Sequence, residues 1–210
     1  MIYIGLVDDH HIVRSALRDH LSTQVDMRVT VEARDAQGAL EVARNPQLNV
    51  LVLDLGLPDT SGLNIISQLQ QQSPHVKVLV LSGYPENMYA RTALRLGASG
   101  YINKERPPED IVEAVRVVAV GGRYASADVR KALNQNSSRS KGGAPHESLS
   151  VREMEVFLAL ATGKRISQVA LDMTLSVKTA STYRSRVLEK MQMTSNGQMT
   201  RYALQHALIT

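Results

Sequence analysis

Charged and hydroxyl side chains stand directly after several short apolar runs of the chain. Asp8 and Asp9 follow the run IYIGLV, and Asp54 follows the run VLVL. The run VKVLVL leads into Ser82, and the short segment ASGYIN leads into Lys104. A carboxylate nucleophile, a hydroxyl and an ammonium at one place are groups that phosphoryl transfer uses. Carboxylates held together repel one another unless a cation lies among them, and oxygen ligands with room for water suit Mg²⁺ or Mn²⁺.

Each of these residues also has a purely structural interpretation. Asp54 precedes the turn-forming residues of the segment LGLPDTSG and could simply cap that turn. One of Asp8 and Asp9 could cap the helix that follows, although this explains one acid and not both. Lys104 alone is typical of ordinary surface charge. The functional interpretation is favoured when all these residues are considered together, because each follows an apolar run. In open α/β sheets, ligands bind at the edge where the parallel strands end.

The elements that would hold these residues alternate between short apolar strands and amphipathic helices. The predicted strands cover about 2–7, 28–33, 49–54, 77–82 and 98–102. The predicted helices cover about 11–23, 36–44, 62–72, 86–96 and 107–120. Five strand–helix units in about 120 residues predict an α/β doubly wound, five-stranded parallel sheet with helices on both faces. The candidate residues would then share the carboxyl edge of this sheet.

Composition and charge limit the classes of protein to consider. The 210-residue chain has no cysteine, which excludes disulfides and thiolate metal sites. Its start lacks the basic flank of a signal peptide, and no apolar segment approaches the roughly 18 residues of a membrane span, so we expect a cytoplasmic protein. Residues 1–121 carry 11 basic and 14 acidic residues, whereas the remainder carries 13 and 6. A basic second half suggests a polyanion as partner, although surface composition alone could produce the difference.

A segment without apolar periodicity separates the two halves. Residues 122–147 include NSSRSKGGAPH and are expected to form a linker, with a short helix at about 126–134. Beyond the linker, Ser150 and Glu153 have the spacing of a capping box that opens a helix. The expected helices run over about 150–161, 167–173, 176–191 and 197–208. Four short helices, two of them joined by a very short turn, predict a small all-α helix-turn-helix domain over 148–210.

The third of these helices carries the groups that reading DNA requires. Its N-terminal half is crowded with basic and small hydroxyl side chains: Lys178, Thr179, Ser181, Thr182, Arg184, Ser185 and Arg186. Such donors suit a helix in the major groove, where base edges and phosphates both need partners. An ordinary solvated helix face is the alternative interpretation. The short turn before this helix and the basic charge of this half favour DNA.

The order and spacing of four motifs resemble the receiver domain of bacterial two-component response regulators across residues 1–121. The motifs are DDHHIVR at 8–14, VLDLGLPDTSG at 52–62, LSG at 81–83 and GYINK at 100–104. The resemblance implies a flavodoxin-like fold and phosphorylation of Asp54 by a sensor histidine kinase. It also implies a Mg²⁺ ion held by Asp9, Asp54 and the carbonyl of Gly56, with Asp8 acting through water.

The same resemblance implies roles for three further residues. Ser82 would move onto the phosphate, Tyr101 would rotate inward to fill the vacated space, and Lys104 would bind the phosphate. The sequence departs from the family at His11, where proline is usual, and at Gly56, where many relatives carry a side chain. We hypothesise that the missing side chain at Gly56 lets water reach the acyl phosphate and shortens its lifetime.

Residues 148–210 resemble the LuxR-type helix-turn-helix domain. The matching marks are LS-x-RE-x-EV, a glycine at 163, S-x-KT and the closing KM. The resemblance implies that six residues of the third helix contact DNA: Lys178, Thr179, Ser181, Thr182, Arg184 and Arg186. It implies that the last helix forms a dimer face with Tyr202, Leu204 and Leu208, residues that could equally belong to a core.

A receiver joined to this domain is the arrangement of the NarL/FixJ class of response regulators. The third helix has TASTY where TVKxH is usual, a version that resembles the BvgA/EvgA branch. We therefore predict a DNA-binding transcription regulator whose partners are a kinase, double-stranded DNA and a second copy of the chain, with no membrane. It would not be an enzyme beyond phosphotransfer and autodephosphorylation at Asp54.

Two alternatives stay open at this point. One is a regulator that binds DNA without phosphorylation. The other is a phosphatase with an aspartyl nucleophile, a class that needs a second acid two residues after the nucleophile. Gly56 stands at that position and argues against the phosphatase.

Overall fold

The computed structural model describes residues 1–57, 62–84, 86–127, 129, 144–173, 175–206 and 208–209. The chain divides into two compact units, Met1–Ser140 and Lys141–Thr210, and buried apolar side chains occur in both. Most of the predicted linker, including the helix expected at about 126–134, lies outside the described residues. Within the described ranges, every helix is too short or too polar to cross a lipid bilayer.

A five-stranded parallel sheet forms the centre of the first unit. Its strands are β1 (Ile2–Val7), β2 (Met27–Ala33), β3 (Val50–Leu53), β4 (Lys77–Ser82) and β5 (Gly100–Asn103). They lie in the order β2-β1-β3-β4-β5, which makes β3 the central strand. All four residues of β3 are buried, as expected for a strand with helices on both sides. The predicted doubly wound parallel sheet is confirmed.

Helices pack against both faces of this sheet. They are α1 (His11–Ser22), α2 (Ala36–Val42), α3 (Gly62–Gln72), α4 (Glu86–Arg95) and α5 (Pro108–Ala119). On one face, Leu21 of α1 and Val115 of α5 pack in the same core as Val52 of β3. On the other face, α2, α3 and α4 lie side by side. Each of the five helices begins and ends within two residues of its predicted bounds.

After α5 the chain returns to the free edge of β5. Gly121 makes the turn with a φ of +83°, in the left-handed region that favours glycine. The Tyr101 N–H then donates to the Tyr124 carbonyl (2.9 Å), and the Tyr124 N–H donates to the Ser99 carbonyl (3.1 Å). A Cβ atom at Gly100 would lie 3.0 Å from the Tyr124 carbonyl oxygen. Glycine at position 100 therefore permits this close pairing.

The second unit is helical throughout its described core. A single turn of 3₁₀-helix (Pro145–Ser148) leads into α6 (Val151–Ala161), α7 (Ile166–Asp172), α8 (Val177–Lys190) and α9 (Asn196–Gln205). Each of the four α-helices contributes a completely buried side chain to the core: Phe157, Val169, Val187 and Met199. The predicted all-α domain is confirmed.

The ends of these helices follow local sequence signals. Ser150 Oγ accepts the Glu153 N–H, and the Glu153 carboxylate accepts the Ser150 N–H, so the predicted capping box is confirmed. The last helix ends at Gln205, earlier than the predicted position near 208. The Leu208 N–H reaches back to the Ala203 carbonyl (2.9 Å), a bond of the kind that closes a helix end.

Candidate functional site

The carboxyl edge of the sheet brings together two buried acids and a lysine. Asp8 follows β1, Asp54 follows β3, and Lys104 follows β5. Asp8 and Asp54 are both buried. The Lys104 Nζ atom lies 2.7 Å from Asp8 Oδ2 and 3.1 Å from Asp54 Oδ2. The Lys104 N–H donates to the Ser82 carbonyl (2.8 Å), so the end of β4 also holds the lysine in place.

Burial and charge act in opposite directions within this cluster. Burial raises the pKa of Asp54, and the charge of Asp8 adds to that increase, so that the pKa stays above its ordinary value despite Lys104. Burial would lower the pKa of Lys104, but the two carboxylates outweigh burial and raise that pKa. Lys104 therefore stays charged and compensates one of the two acids. The remaining negative charge favours a cation at this edge.

Asp9 and His10 extend the acidic cluster beyond the buried pair. One donor atom from each of Asp8, Asp9, His10 and Asp54 lies within 4.8 Å of the others, a grouping that could hold a metal ion. The His10 Nδ1 atom lies 2.7 Å from Asp9 Oδ1 and 3.1 Å from Asp8 Oδ1. The sequence pattern assigned no role to His10, although this residue directly follows two acids at the end of a predicted strand.

Arg14 holds the backbone beneath the acidic pair. Its guanidinium donates to the Asp8 carbonyl (2.5 Å) and to Glu32 Oε2 on β2 (2.9 Å). The sequence motif DDHHIVR includes Arg14, but no role could be assigned to it. A basic residue on an amphipathic helix is usually solvated, and only the folded chain brings Arg14 to Glu32.

The loop after β3 approaches Asp54 with glycine at two positions. A backbone hydrogen bond from Gly56 to the Asp54 carboxylate acts to lower the pKa of Asp54, and a Cβ atom at Gly56 would lie 3.3 Å from Asp54 Oδ2. Gly62, the first residue of α3, donates its N–H to the Leu55 carbonyl (3.2 Å). A Cβ atom at Gly62 would lie 2.7 Å from Leu55 Cα and 2.8 Å from the Asp54 carbonyl oxygen. Residues 58–61 of this loop lie outside the described ranges.

Ser82 and Tyr101 are buried on the neighbouring strands β4 and β5. Both contact the backbone of Tyr84: Ser82 Oγ accepts the Tyr84 N–H (3.3 Å), and the Tyr101 hydroxyl donates to the Tyr84 carbonyl (3.0 Å). The Asn103 side chain donates to the same carbonyl (3.1 Å). Burial raises the pKa of Tyr101, so its hydroxyl keeps its proton for this bond. The Tyr101 ring already occupies the inward position that was expected to follow movement of Ser82.

The residues predicted to contact DNA lie on α8, whose Ala180 and Val187 face the core of the unit. Four of the six are exposed: Lys178, Thr179, Thr182 and Arg186. Ser181 and Arg184 are partly buried. The surface that α8 presents is therefore basic and rich in hydroxyl groups near its N-terminus.

Internal hydrogen bonds engage three residues of this surface. The Arg184 Nε–H donates to Asn196 Oδ1 at the start of α9 (2.8 Å). The Thr182 hydroxyl donates to the Lys178 carbonyl one turn earlier (3.0 Å). Ser176 caps the helix by accepting the Thr179 N–H (3.0 Å). Arg184 thus links α8 to α9, a role that the spacing of residues within α8 does not indicate.

An ion pair attaches the far end of α8 to the start of α6. The Lys190 Nζ atom lies 2.6 Å from Glu153 Oε2, the oxygen that also accepts the Ser150 N–H (2.7 Å). Burial would raise the pKa of Glu153, but Lys190 and the hydrogen bonds at Ser150 outweigh burial and hold that pKa below its ordinary value. The cap was predictable from the sequence, whereas the pairing of Glu153 with Lys190 was not, because no local pattern brings α6 and α8 together.

The three residues predicted for a dimer face have different surroundings. Leu204 is more than half exposed, whereas Tyr202 and Leu208 are partly buried. The Tyr202 hydroxyl lies 2.9 Å from His146 Nδ1, and its ring stacks on His206 with centroids 4.1 Å apart. Tyr202 is therefore engaged within its own unit, and Leu204 offers the free apolar surface.

Comparison with known proteins gives consistent matches for both units. The family described as "Response regulator receiver domain" matches residues 4–116, and "Bacterial regulatory proteins, luxR family" matches residues 147–203. Response regulator UvrY of Escherichia coli is 30% identical over 210 residues, which cover 99% of this chain and 96% of that protein. Response regulator GacA of Pseudomonas aeruginosa is also 30% identical over 210 residues, covering 100% and 98%. Among solved structures, this chain resembles a LuxR-family two-component response regulator from an Aurantimonas species, with 29% sequence identity and a TM-score of 0.58. The match covers 65% of this chain and 98% of that chain.

Proposed function

The chain belongs to the two-component response regulators of the NarL/FixJ class, transcription regulators that join a receiver domain to a LuxR-type DNA-binding domain, and on that premise we propose that phosphorylation of Asp54 controls its binding to DNA. In this proposal residues 1–121 are the receiver, 122–147 the linker and 148–210 the DNA-binding domain. A sensor histidine kinase supplies the phosphoryl group. The protein works in the cytoplasm, where the bacterial chromosome lies.

The placement of Lys104 beside Asp54 is the observation that carries this proposal. The Lys104 Nζ atom lies 3.1 Å from Asp54 Oδ2, at the end of the central strand. A carboxylate that accepts a phosphoryl group needs a cation near the oxygens on which negative charge accumulates. Lys104 is already directed at that place, and the Ser82 hydroxyl on the adjacent strand can donate to a phosphoryl oxygen once it leaves Tyr84.

Magnesium is the ion that the donor atoms at this edge fit best. Carboxylate oxygens are the ligands that Mg²⁺ prefers, and Asp9 Oδ1 is a buried oxygen that accepts no hydrogen bond among the described residues. In this proposal Asp9, Asp54 and the Gly56 carbonyl hold the ion directly, and Asp8 acts through water. When bound, the ion offsets the repulsion between these carboxylates and the incoming phosphoryl group.

Ser82, Tyr84 and Tyr101 form the switch in this proposal. The Ser82 hydroxyl moves to donate to a phosphoryl oxygen and no longer accepts the Tyr84 N–H, and the Tyr84 segment shifts because that hydrogen bond is lost. The Tyr101 hydroxyl, bound to the Tyr84 carbonyl, follows the same shift. Since the Tyr101 N–H is paired with Tyr124, the movement reaches the backbone at the start of the linker.

The output step is the docking of α8 in the major groove of DNA. Its contacts come from the basic and hydroxyl residues of that helix: Lys178, Thr179, Ser181, Thr182, Arg184 and Arg186. One small domain makes few phosphate contacts and binds weakly at physiological salt, so two copies pair on activation. The pairing surface lies around Leu204, with Tyr202 and Leu208 beneath it. The likeness of TASTY to the BvgA/EvgA branch stays a prediction, and it bears on the choice of DNA sequence.

Binding to DNA without phosphorylation is the second candidate function. The inward position of Tyr101 favours it, because a switch residue that is already inward needs no phosphate to move it there. The buried Asp8–Lys104–Asp54 cluster favours phosphorylation instead, because burying these charges has a desolvation cost that a purely structural role does not explain. Nothing comparable favours the phosphatase, since Gly56 supplies no general acid.

The test compares the wild type with Asp54→Ala in DNA binding and oligomeric state. Each protein is treated with a small acyl phosphate and Mg²⁺, and bound DNA is selected from a random pool. We expect tighter binding and dimer formation in the treated wild type only. Equal binding by the two proteins would overturn phosphate control and support the second candidate.

A matched pair of variants tests the DNA surface separately. Arg186→Ala removes an exposed cation from α8. The slope of log DNA affinity against log salt concentration should therefore decrease by about one. Arg201→Ala removes an exposed cation from α9 and should leave that slope unchanged. Equal effects of the two substitutions would contradict the assignment of α8 to the groove.

A further inference from the structure

Arg14 of α1 joins the end of β1 to β2 through two different nitrogen atoms of its guanidinium group. Its Nη1 atom donates to the Asp8 carbonyl (2.5 Å), and its Nε–H donates to Glu32 Oε2 (2.9 Å). The Arg14 side chain is only 14% exposed. The Asp8 N–H donates to the Ala33 carbonyl at the end of β2 (3.2 Å). Both backbone polar groups of Asp8 are therefore held in place, and a side chain holds one of them.

The carbonyl that Arg14 binds belongs to the peptide group between Asp8 and Asp9. A peptide group is planar, so a hydrogen bond to its carbonyl oxygen also fixes the orientation of the N–H on its other side. That N–H belongs to Asp9, and the direction in which the Asp9 side chain leaves the backbone depends on the same plane. In the proposed function Asp9 is a direct ligand of Mg²⁺. Arg14 can therefore orient a ligand of the ion from outside the set of ligands.

We propose that Arg14 is a positioning residue of the metal site, which keeps Asp9 in the conformation that binds Mg²⁺ by holding the peptide group between Asp8 and Asp9. This inference rests on the metal site of the proposed function and assigns a role to a residue that the proposed function does not use. Mg²⁺ demands nearly ideal octahedral geometry, so displacement of one ligand weakens its binding. Replacing a group that orients a metal ligand typically lowers metal affinity about 10- to 100-fold.

Charge and position predict opposite effects of replacing Arg14. Charge alone would make this cation oppose the binding of Mg²⁺ to the neighbouring acids, so its removal would strengthen binding. Positioning predicts that its removal weakens binding. A lysine at this position separates the two further, because lysine keeps the charge but lacks the planar fork that reaches both the Asp8 carbonyl and Glu32.

Calorimetry of the full-length protein measures the Mg²⁺ affinity of the wild type, Arg14→Lys and Arg14→Met. The control is Arg18→Lys, because Arg18 pairs with the other carboxylate oxygen of Glu32 (3.1 Å) and with Asp19 (3.1 Å), so its replacement leaves the bond to the Asp8 carbonyl in place. We expect both Arg14 variants to bind Mg²⁺ about tenfold more weakly and Arg18→Lys to change the affinity less than about twofold. Stronger binding by Arg14→Met, or equal affinities of the wild type and Arg14→Lys, would overturn the positioning role.

The Mg²⁺ dependence of phosphorylation distinguishes positioning from a purely structural role. With a small acyl phosphate as donor, Arg14→Lys should need about ten times more Mg²⁺ to reach its half-maximal rate. Its rate at saturating Mg²⁺ should stay within about twofold of the wild type, because the residues that react are unchanged. A lower saturating rate with an unchanged Mg²⁺ requirement would overturn the proposal and leave Arg14 a structural role.

The wild type shows which of the two proposals fails. If the wild type binds Mg²⁺ and is phosphorylated while Arg14→Lys behaves identically, the positioning role alone is refuted. If the wild type neither binds Mg²⁺ nor is phosphorylated, the proposed function is refuted together with it.

Discussion

Gly62→Ala should destabilise the first unit and displace the backbone of the candidate phosphoacceptor. The added Cβ would lie 2.7 Å from Leu55 Cα and 2.8 Å from the Asp54 carbonyl oxygen, where ordinary contacts begin near 3.4 Å. Both neighbours are backbone atoms, so no side-chain rotation can make room. The loop before α3 must move away from Asp54, or the end of β3 must shift.

The expected magnitude follows from two opposing effects. Forcing one methyl group into a packed place costs about 1–3 kcal/mol. Replacing glycine by alanine lowers the entropy of the unfolded chain, which stabilises the fold by about 0.4–1 kcal/mol when the backbone conformation suits alanine. Gly62 is in the ordinary helical region, so that gain applies. The net destabilisation should be about 1–2 kcal/mol.

Gly83→Ala is the matched control at the same edge of the sheet. A Cβ atom there would meet nothing within 4 Å, and Gly83 has no left-handed φ. Only the unfolded-state gain of about 0.4–1 kcal/mol applies, so Gly83→Ala should be neutral or slightly stabilising. Gly62→Ala should therefore lower the stability of the first unit, whereas Gly83→Ala should leave it unchanged or raise it slightly.

Scanning calorimetry of the full-length protein separates the effects. The transition that Mg²⁺ shifts upward belongs to the unit with the proposed metal site. That transition should fall by roughly 3–8 °C in Gly62→Ala and stay within about 2 °C of the wild type in Gly83→Ala. Phosphorylation by an acyl phosphate should slow in Gly62→Ala, since Asp54 moves with its carbonyl. A Gly62→Ala variant that is as stable as the wild type and is phosphorylated at the same rate would show that the backbone around Asp54 can accept a methyl group.

Three further substitutions test individual contacts. Lys104→Met removes the cation that lies between the carboxylates of Asp8 and Asp54. The affinity for Mg²⁺, measured by calorimetry, should therefore rise roughly tenfold, which corresponds to about 1.4 kcal/mol. An unchanged affinity would argue that Lys104 does not compete with the ion. Gly56→Asn places a Cβ atom 3.3 Å from Asp54 Oδ2 and should slow the loss of phosphate severalfold, as followed by mass spectrometry. An unchanged rate would contradict the water-access hypothesis. Glu153→Gln should cost the second unit about 1 kcal/mol at pH 7, because Lys190 loses its charged partner. The pKa of Glu153 is lowered in the folded state, so this contribution is fully present above its ordinary pKa of 4.5 and is lost as pH falls through the lower pKa of the folded state. Urea unfolding at pH 7 and pH 3.5 should therefore show a smaller pH dependence in Glu153→Gln than in the wild type.

The positions of the elements could be predicted because their causes are local. Apolar runs that end at turn-forming residues define the strands, and a capping box such as that of Ser150 and Glu153 marks a helix start within four residues of sequence. The predicted end of α9 was wrong by three residues. The hydrogen bond from the Leu208 N–H to the Ala203 carbonyl depends on the backbone conformation after the helix, and hydrophobic periodicity does not predict that conformation.

The contacts within the candidate site required the tertiary structure. The distance from Lys104 to Asp8 joins residues at opposite ends of the receiver, and strand order alone does not say which oxygen the ammonium approaches. The direction of the His10 ring is a choice among rotamers that neighbouring residues decide. The pairing of Lys190 with Glu153 and of Arg184 with Asn196 depends on how two helices cross.

Local sequence patterns were thus enough to predict the fold, two domains of different charge and the sheet edge at which the candidate site lies. These follow from hydrophobic periodicity and turn residues, which act over a few positions. The folded chain was needed to show that Lys104 lies between Asp8 and Asp54, that the Tyr101 ring is buried, and that Gly62 has no room for a methyl group. Those outcomes depend on distances of a few ångströms between residues far apart in the chain, and such distances exist only once the helices have packed on the sheet.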